Sequence, residues 1–575
     1  MRAVTRSWCP LRVLKVILGV LVLGLFCSAE VGESAQGMLG LEEKQYLNRV
    51  DQSVWKSELY LEELQPLLER LLAQIAAPAE LKYLLHEEFR GVPPATRTPQ
   101  SQVRESGVRI SRYSFAQITP IKSRQFLQEL RNYALGFDAI NRREFHIRRL
   151  AIEGNGDQPV VVLEMDTYIG GASDGLRRAD SASWVASLTR SAEDVWRLMS
   201  LRVRHLESAR GHRIFTDVTS LLPESYKLTH PRTHRYTDFP ANNGVSLADW
   251  DQDGDLDIYV FRPYLPGLFY VNDGVGRFRE QIPDGLEESE AESTSLSGTG
   301  YFFDADNDGD LDFLQLRNDS PIGFFRNESG RFSNVAREAG FARLPDEFWI
   351  GAAIADYDLD GDLDIYLLRY ADRNPRSSYF DSRGNANFLL RNEGNGIFKE
   401  VTLETGMTSG NKRISWAAAW GDYNDDGYPD LYVANDFGPN RLYTNQLDGT
   451  FAEDSRALGV EDRGNGMGVS WVDYDNDGVL DLYVSNMHSY SGERITHSAE
   501  SYLTPGQARL AQRFSKGNTL FRGIGHKAFQ EVTPELTVAK AGWAWGHLFL
   551  DYDYDGDLDL YVVNGYFSNL KSADS

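Results

Sequence analysis

The sequence predicts a mainly β protein, a β-propeller preceded by a smaller α+β domain. Two observations predict this fold. A nine-residue aspartate-rich pattern recurs six times between residues 249 and 559, and runs of β-branched and aromatic residues typical of strands surround each copy. The copies start 51 to 78 residues apart, and the shorter of these separations match one four-stranded blade with its connections. We therefore assign residues 1–29 to an export signal, 40–212 to the α+β domain and 213–575 to the propeller.

The repeated pattern is D-x-[DN]-x-D-G-x-x-D, and six copies in one chain cannot reasonably arise by chance. We call the copies loops 1 to 6 and number their residues 1 to 9. The predicted metal ligands occupy positions 1, 3, 5, 7 and 9: Asp249, Asp251, Asp253, Asp255 and Asp257 in loop 1; Asp304, Asp306, Asp308, Asp310 and Asp312 in loop 2; Asp356, Asp358, Asp360, Asp362 and Asp364 in loop 3; Asp422, Asn424, Asp426, Tyr428 and Asp430 in loop 4; Asp473, Asp475, Asp477, Val479 and Asp481 in loop 5; and Asp551, Asp553, Asp555, Asp557 and Asp559 in loop 6.

This spacing predicts about six Ca²⁺ sites. Calcium takes six to eight oxygen ligands, and alternate positions 1, 3 and 5 supply carboxylates while the glycine at position 6 permits a tight turn. Position 7 offers its backbone carbonyl, so Tyr428 and Val479 also qualify there. Asn424 keeps an oxygen but removes a charge, so we expect loop 4 to bind most weakly. Magnesium retains more water, and the loops lack the cysteine or histidine that softer metals prefer.

An EF-hand shares positions 1 to 9 but also needs a bidentate glutamate at position 12 and flanking helices. No copy has that glutamate, and strand-like residues such as Leu431-Tyr432-Val433 follow the loops. The EF-hand interpretation is therefore rejected. Each unit carries about four strand signals, with the loop between the first and second strands. Residues 213–219 match the fourth-strand pattern of later units, so they are a candidate to complete the last blade and close the ring. We expect six blades; seven would need a blade within 223–243.

At these residues the chain resembles FG-GAP/VCBS repeat proteins, the integrin-α-like propellers, and within them the cartilage-acidic-protein-like (ASPIC/UnbV-related) family. The resemblance covers roughly residues 213–565 and includes Asn486–Thr496 and Gly542–Gly546. It implies an exported, calcium-binding interaction scaffold.

The N-terminal residues predict export. Arg2, Arg6, Arg12 and Lys15 precede a 14-residue small or apolar run, 16–29, which is short for a membrane span. An uncleaved anchor is the alternative. Both cysteines, Cys9 and Cys27, lie in this segment, so cleavage after residue 29 would leave a protein without disulfides. The formal charge of −25 argues against nucleic acid as a partner.

Between the signal and the repeats, apolar spacing predicts helix over 41–90 and over 123–135. Hairpins are predicted from 144–153 with 160–169 and from 183–189 with 195–205, with Trp184 and Trp196 in the core. This element order resembles the ketosteroid-isomerase-like cone fold. His146 and Asp166 lack any motif context, and we interpret them as structural or surface residues.

The sequence contains no zinc-protease, nucleophile-elbow, P-loop or dinucleotide motif. His547 is interpreted as closing the strand before loop 6. A helix is expected at 505–514, within the insertion that lengthens the fifth repeat. The leading hypothesis is a non-catalytic, calcium-rigidified scaffold that binds protein or glycan at the cell surface or in the periplasm. The alternative is a secreted hydrolase or ligand-processing protein that uses the N-terminal domain or the propeller's top face.

Overall fold

The computed structural model describes a mainly β protein built from many antiparallel sheets. The described residues are 56–564 apart from 75–77, 95–97, 106–107, 154–158, 192–194, 213–221, 224–243, 263–264, 288–297, 319, 347, 371–383, 491, 494–495, 497–504, 537 and 553–554. The proposed signal segment and the run 213–219 therefore lie outside the described residues. None of the helices in the described part is both long and apolar enough to cross a membrane.

The N-terminal part is one eight-stranded sheet with two helices. Its strands run in the order β2-β3-β8-β7-β6-β5, with β1 beside β8 and β4 beside β1. The strands are β1 (Leu85–Val92), β2 (Ser101–Glu105), β3 (Val108–Ser114), β4 (Ile121–Lys122), β5 (Ala139–Glu153), β6 (Val160–Ser173), β7 (Leu176–Arg190) and β8 (Trp196–Gly211), and the helices are α1 (Lys56–Ala73) and α2 (Ser123–Ala134). The two predicted hairpins are the antiparallel pairs β5–β6 and β7–β8. Trp184 and Trp196 are buried in the core below them.

Of the helix predicted over 41–90, residues 41–55 lie outside the described residues, α1 confirms the middle and the prediction is wrong after α1. Helix α2 lies where it was predicted. A 3₁₀ turn follows at Pro78–Tyr83, and Leu85–Val92 form β1 instead of helix. Two neighbours on either side of β1 supply its hydrogen bonds, antiparallel β4 and parallel β8. Gly91 lets this strand approach α2, because a Cβ there would lie 2.5 Å from the Phe126 ring. Tertiary pairing thus overrides the helical spacing of the sequence.

The C-terminal part is an array of antiparallel sheets, one for each aspartate loop. Five sheets have four strands and the sixth has two among the described residues. The strands are β9 (Val245–Ala248), β10 (Asp257–Val260), β11 (Leu268–Asn272) and β12 (Phe278–Glu280); β13 (Gly298–Phe303), β14 (Asp312–Arg317), β15 (Gly323–Glu328) and β16 (Arg331–Asn334); β17 (Trp349–Ala355), β18 (Asp364–Arg369), β19 (Phe388–Asn392) and β20 (Phe398–Glu400); β21 (Ile414–Gly421), β22 (Asp430–Phe437), β23 (Arg441–Asn445) and β24 (Phe451–Glu453); β25 (Gly466–Val472), β26 (Asp481–Asn486), β27 (Thr519–Ile524) and β28 (Ala528–Glu531); and β29 (Ala544–Leu550) and β30 (Asp559–Asn564). As predicted, each loop joins the first and second strands of its sheet.

Successive sheets pack face to face through stacked aromatic residues. The first strands of neighbouring sheets contact one another along the whole array. In loops 1, 3 and 4 the aromatic residue at position 2 stacks on a ring two residues before the next loop, as Tyr357 does on Trp420 and Tyr423 on Trp471 (interplanar angles 14° and 13°). Rings of this size bury large apolar areas. These aromatic contacts therefore stabilise the packing of neighbouring sheets.

A buried asparagine at the end of the third strand links neighbouring sheets by hydrogen bonds. Asn392 Nδ2 donates to the carbonyl of Ala305 in loop 2 (2.7 Å), and Asn445 Nδ2 donates to that of Tyr357 in loop 3 (2.9 Å). Asn272 has no such bond to another sheet among its described contacts; its Nδ2 donates to Leu256 within its own sheet.

The insertion between β26 and β27 contacts the N-terminal sheet. It includes α3 (Pro505–Ser515), where the sequence predicts a helix. A short helix, α4 (Thr533–Leu536), follows β28. The His146 ring on β5 stacks on Tyr490 (4.6 Å between centroids), which His488 and Lys540 also contact. Asp166 lies opposite His146 in the β5–β6 register. His146 and Asp166 therefore lie where the two parts of the chain meet.

We expect Asn392→Ala to destabilise the protein by about 1–3 kcal/mol, because it leaves the Ala305 carbonyl without its partner. Melting temperature measures this loss. Asn272→Ala is the matched control, since Asn272 contributes only within its own sheet. Equal losses in the two variants would contradict a role for Asn392 between sheets.

Candidate metal centres

Backbone amides hold each aspartate loop in one conformation. The position 5 amide donates to Oδ1 of the position 1 aspartate and the position 6 glycine amide donates to its Oδ2, at 2.7–3.2 Å in all six loops. The position 7 amide donates to the position 5 carboxylate. Each position 6 glycine has positive φ, as the tight turn requires. The loop is therefore preorganised around its carboxylates.

In four loops, three carboxylates lie close enough together for their oxygens to bind one cation. Their nearest oxygens lie within 4.8 Å of one another in Asp249–Asp251–Asp253, Asp304–Asp306–Asp308, Asp356–Asp358–Asp360 and Asp473–Asp475–Asp481. Calcium–oxygen distances of about 2.3–2.6 Å allow oxygens at such separations to share one ion. The fourth group reaches position 9, so this position can face the same centre. The donor set and spacing therefore fit Ca²⁺ in these loops.

Loops 4 and 6 are not among these four groups. In loop 4, Asn424 Oδ1 accepts the Asp426 amide at 3.1 Å, so its amide oxygen takes part in the turn. In loop 6, Asp553 lies outside the described residues, whereas Asp551 accepts the amides of Asp555 and Gly556 as in the other copies. Both loops thus share the backbone cradle.

The position 9 aspartate attaches each of the first five loops to the third strand. One oxygen accepts a third-strand amide at 2.7–2.8 Å: Asn272 bonds Asp257, Asn327 bonds Asp312, Asn392 bonds Asp364, Asn445 bonds Asp430 and Gly523 bonds Asp481. All five aspartates are buried. Burial raises the pKa of Asp257 and Asp481 to about 6, of Asp312 and Asp430 to about 7 and of Asp364 to about 8. These carboxylates are costly to ionise without a cation.

Arginines on the third strand partly neutralise two loops. Arg326 lies 3.0 Å from Asp306 of loop 2. Arg522 contacts both Asp475 (2.8 Å) and Asp477 (2.9 Å) of loop 5. A bound metal cation would compete with these arginines for the same carboxylates. The number of carboxylates in a loop therefore does not by itself determine the order of metal affinities.

The residue at position 4 connects neighbouring loops, a feature that the sequence analysis missed. Gln252 donates to the Gly309 carbonyl and to Asp310, and Asn307 donates in the same way to Gly361 and Asp362. Asn476 repeats the contact to loop 6. Position 4 has positive φ, near +58°, in all of the first five loops. The signal was present in the sequence as an amide side chain at position 4 in three loops.

Loops 3 and 4 lack this connection because their position 4 residues, Leu359 and Asp425, have no side-chain N–H to donate. Leu359 also holds a left-handed backbone (φ 59°) with its side chain about half exposed. Such a conformation is unfavourable for leucine and better tolerated by asparagine.

His547 lies beside a possible nucleophile. Its Nε2 is 2.9 Å from Ser470 Oγ, and burial lowers its pKa to about 4. Nδ1 is buried and makes no hydrogen bond in the described structure. The pair therefore lacks the third group that orients the histidine in a catalytic triad.

The aspartate loops lie in a part of the chain that is similar to known repeats. The family described as FG-GAP-like repeat matches residues 304–367, 378–433 and 422–484, which contain loops 2 to 5. These residues are similar to FG-GAP-like repeats, and the chain is also similar to cartilage acidic protein 1. It is 26% identical to the human protein over 412 residues (62% of this chain and 60% of that protein) and 26% identical to the mouse protein over 411 residues (62% of each). The chain thus spans about 60% of the length of these curated relatives.

Solved structures align with separate parts of the chain. The crystal structure of LinA covers 26% of this chain and 90% of its own, at 12% identity and a TM-score of 0.19. BBS1N in complex with ARL6DN covers 60% of this chain and 93% of its own, at 8% identity and a TM-score of 0.24. These scores are too low to support a fold assignment.

We expect Leu359→Asn to raise the melting temperature by about 2–4 °C, which corresponds to roughly 1 kcal/mol of relieved backbone strain plus a new bond to loop 4. Leu447→Asn is the control, because Leu447 also has positive φ (64°) but lies in the β23–β24 turn, outside the loops. A gain in Leu447→Asn alone, or a loss in Leu359→Asn, would contradict the proposed connection between loops.

Proposed function

We propose that this chain is an exported, calcium-binding β-propeller that serves as a non-catalytic scaffold for protein or glycan binding at the cell surface or in the periplasm. The observation that carries the proposal is the convergence of three carboxylates within 4.8 Å in four loops of one repeated design. Hard oxygen ligands in a preorganised turn favour Ca²⁺ over softer metals. Bound calcium would offset the mutual repulsion of these carboxylates.

A closed ring of six blades is part of the proposal. Its support is the apolar surface at the two ends of the array. Val245 and Leu247 on β9 are 64% and 62% exposed, and Leu548 on β29 and Tyr561 and Val563 on β30 are 52–60% exposed. Exposed apolar patches are unfavourable in water, and packing the first sheet against the sixth would cover them. The equivalent contact is made between every other pair of neighbouring sheets.

Leu247→Asp tests this closure. If β9 packs against the sixth sheet in solution, a buried unpaired charge should cost about 3 kcal/mol or more, seen as a clear drop in melting temperature. Leu403→Asp is the control, since Leu403 is 78% exposed and away from the ends, and it should change stability by less than about 0.5 kcal/mol. A Leu247→Asp variant as stable as the control would mean an open array.

A non-catalytic role is supported by the carboxylates and by the Ser470–His547 pair. The acidic residues that could suggest hydrolase chemistry are engaged in the loops, and His547 lacks an orienting partner at Nδ1. Export is supported by the basic and apolar residues within 1–29, and extracellular millimolar calcium suits sites of modest affinity.

Asp253→Ala tests the calcium assignment. We expect it to lower the melting temperature in millimolar Ca²⁺ but to change little in excess chelator. At dissociation constants of about 10⁻⁴–10⁻³ M, one site contributes about 0.4–1.4 kcal/mol in 1 mM Ca²⁺. Metal counting by mass spectrometry should find about six ions in the wild type and one fewer in the variant. Equal losses with calcium and with chelator would refute the ligand role of Asp253.

A further inference from the structure

One residue near the start of the first strand is displaced from the regular ladder in four consecutive sheets. The antiparallel register shifts by one residue at Ile350, Trp416, Met467 and Trp545. Each lies six residues before the first aspartate of its loop, so the four positions are equivalent. A β-bulge re-aims the side chain of the extra residue and is frequent next to functional sites. These bulges lie at the end of the strand pair remote from the aspartate loop.

The fourth sheet alone among them has a second bulge, on the facing strand. Ile414 pairs with Phe437 and Ser415 with Asn435, so Asp436 on β22 is an extra residue beside Trp416. Bulges on the two facing strands thus leave Trp416 and Asp436 outside the regular pairing at the same end of the strand pair.

Asp436 is buried and makes no ion pair with any of the described residues. Its residue exposure is 4%. Oδ2 accepts a hydrogen bond from the Tyr370 hydroxyl at 3.0 Å, and Oδ1 has no hydrogen-bond partner in the described structure. Burial raises the pKa of this carboxyl to about 7, and the Tyr370 hydrogen bond only partly opposes that rise. Arg413 lies against nearby Gly438, but no ion pair joins it to Asp436 among the described residues.

Tyr370, the hydrogen-bond partner of Asp436, belongs to a cluster of aromatic rings. Tyr370 and Trp416 meet edge to face with centroids 5.2 Å apart, and Trp545 from the sixth sheet lies 5.4 Å from Trp416. Met467 belongs to the same packed cluster. The faces of tryptophan and tyrosine attract cations, and the attraction grows when water is excluded.

We infer that Asp436, Tyr370, Trp416 and Trp545 form a recognition site for an organic cation, an ammonium or guanidinium group presented by a binding partner. Buried charges in proteins are usually paired, and the unused Oδ1 leaves a place for a donor. A single carboxylate among rings does not suit Ca²⁺, which needs many oxygens. The site lies away from the loops, and it goes beyond the proposed calcium function without depending on it.

Simple probes test the inference on the full chain. Ligand-observed saturation-transfer NMR compares n-butylammonium and n-butylguanidinium with neutral n-butanol, each with calcium and with chelator. We expect both cations, or the better-fitting one, to bind at least tenfold more tightly than the alcohol. The result should hold with and without calcium, so failure of the calcium proposal would leave it standing. Equal binding of alcohol and cations would overturn the inference.

Single substitutions test which residues bind the cation. Asp436→Asn keeps an acceptor for Tyr370 and should weaken cation binding at least tenfold, while Trp416→Phe should weaken it severalfold. Asp284→Asn, an equal charge change at a side chain 70% exposed in the segment after β12, is the control and should leave binding unchanged. Melting temperatures of all variants check folding. Cation binding that survives Asp436→Asn would overturn the proposal.

The pH dependence provides a separate check. The cation needs the ionised carboxylate, and a group with pKa about 7 is about one-tenth ionised at pH 6 and nine-tenths at pH 8. Affinity should therefore rise about tenfold from pH 6 to pH 8 in the wild type, and this rise should vanish in Asp436→Asn. A flat profile in the wild type would contradict the role of Asp436.

Discussion

The hydrogen bond from a third-strand amide to the position 9 aspartate is the contact on which the array depends. It joins the loop, the second strand that begins at this aspartate and the third strand in one buried contact. The asparagine that supplies the amide in four sheets extends the network, because in two of them its side chain also bonds the preceding sheet. Loop conformation and sheet-to-sheet spacing are thus set by the same few groups.

This arrangement concentrates negative charge that the protein must compensate. Burial and neighbouring aspartates raise the pKa of the position 3 carboxyls of loops 1 to 3. Arg326 and Arg522 form ion pairs with loops 2 and 5. Loop 1 forms no ion pair within 4 Å among the described residues, and its charge is opposed by backbone amides and by the attraction of Arg279 for Asp251. A divalent cation bound in each loop would compensate the negative charge of its carboxylates in the same way in all loops.

The sequence predicted most of the repeated part because its signals are local. The nine-residue pattern locates the loops, and residues such as Leu431-Tyr432-Val433 mark the strand that follows. Strand β1 could not be predicted in the same way, since its hydrogen bonds come from β8, more than 100 residues later. The bulges at Trp416 and Asp436 were also invisible, because a one-residue shift in pairing leaves no mark in the strand pattern. The burial of Asp436 and its hydrogen bond from Tyr370, 66 residues earlier, likewise required the structure.

The missing amides at position 4 have a mechanical consequence. Loops 1 to 3 are linked in one continuous run and loops 5 and 6 in another, while loop 4 has no position 4 link on either side. The fourth sheet is held to its neighbours there by other contacts, since Tyr357 stacks on Trp420, Tyr423 stacks on Trp471 and Asn445 donates to the Tyr357 carbonyl. The same sheet carries Asp436 at its other end. The loops on either side of the fourth sheet are therefore coupled through aromatic rings rather than through amide hydrogen bonds of position 4.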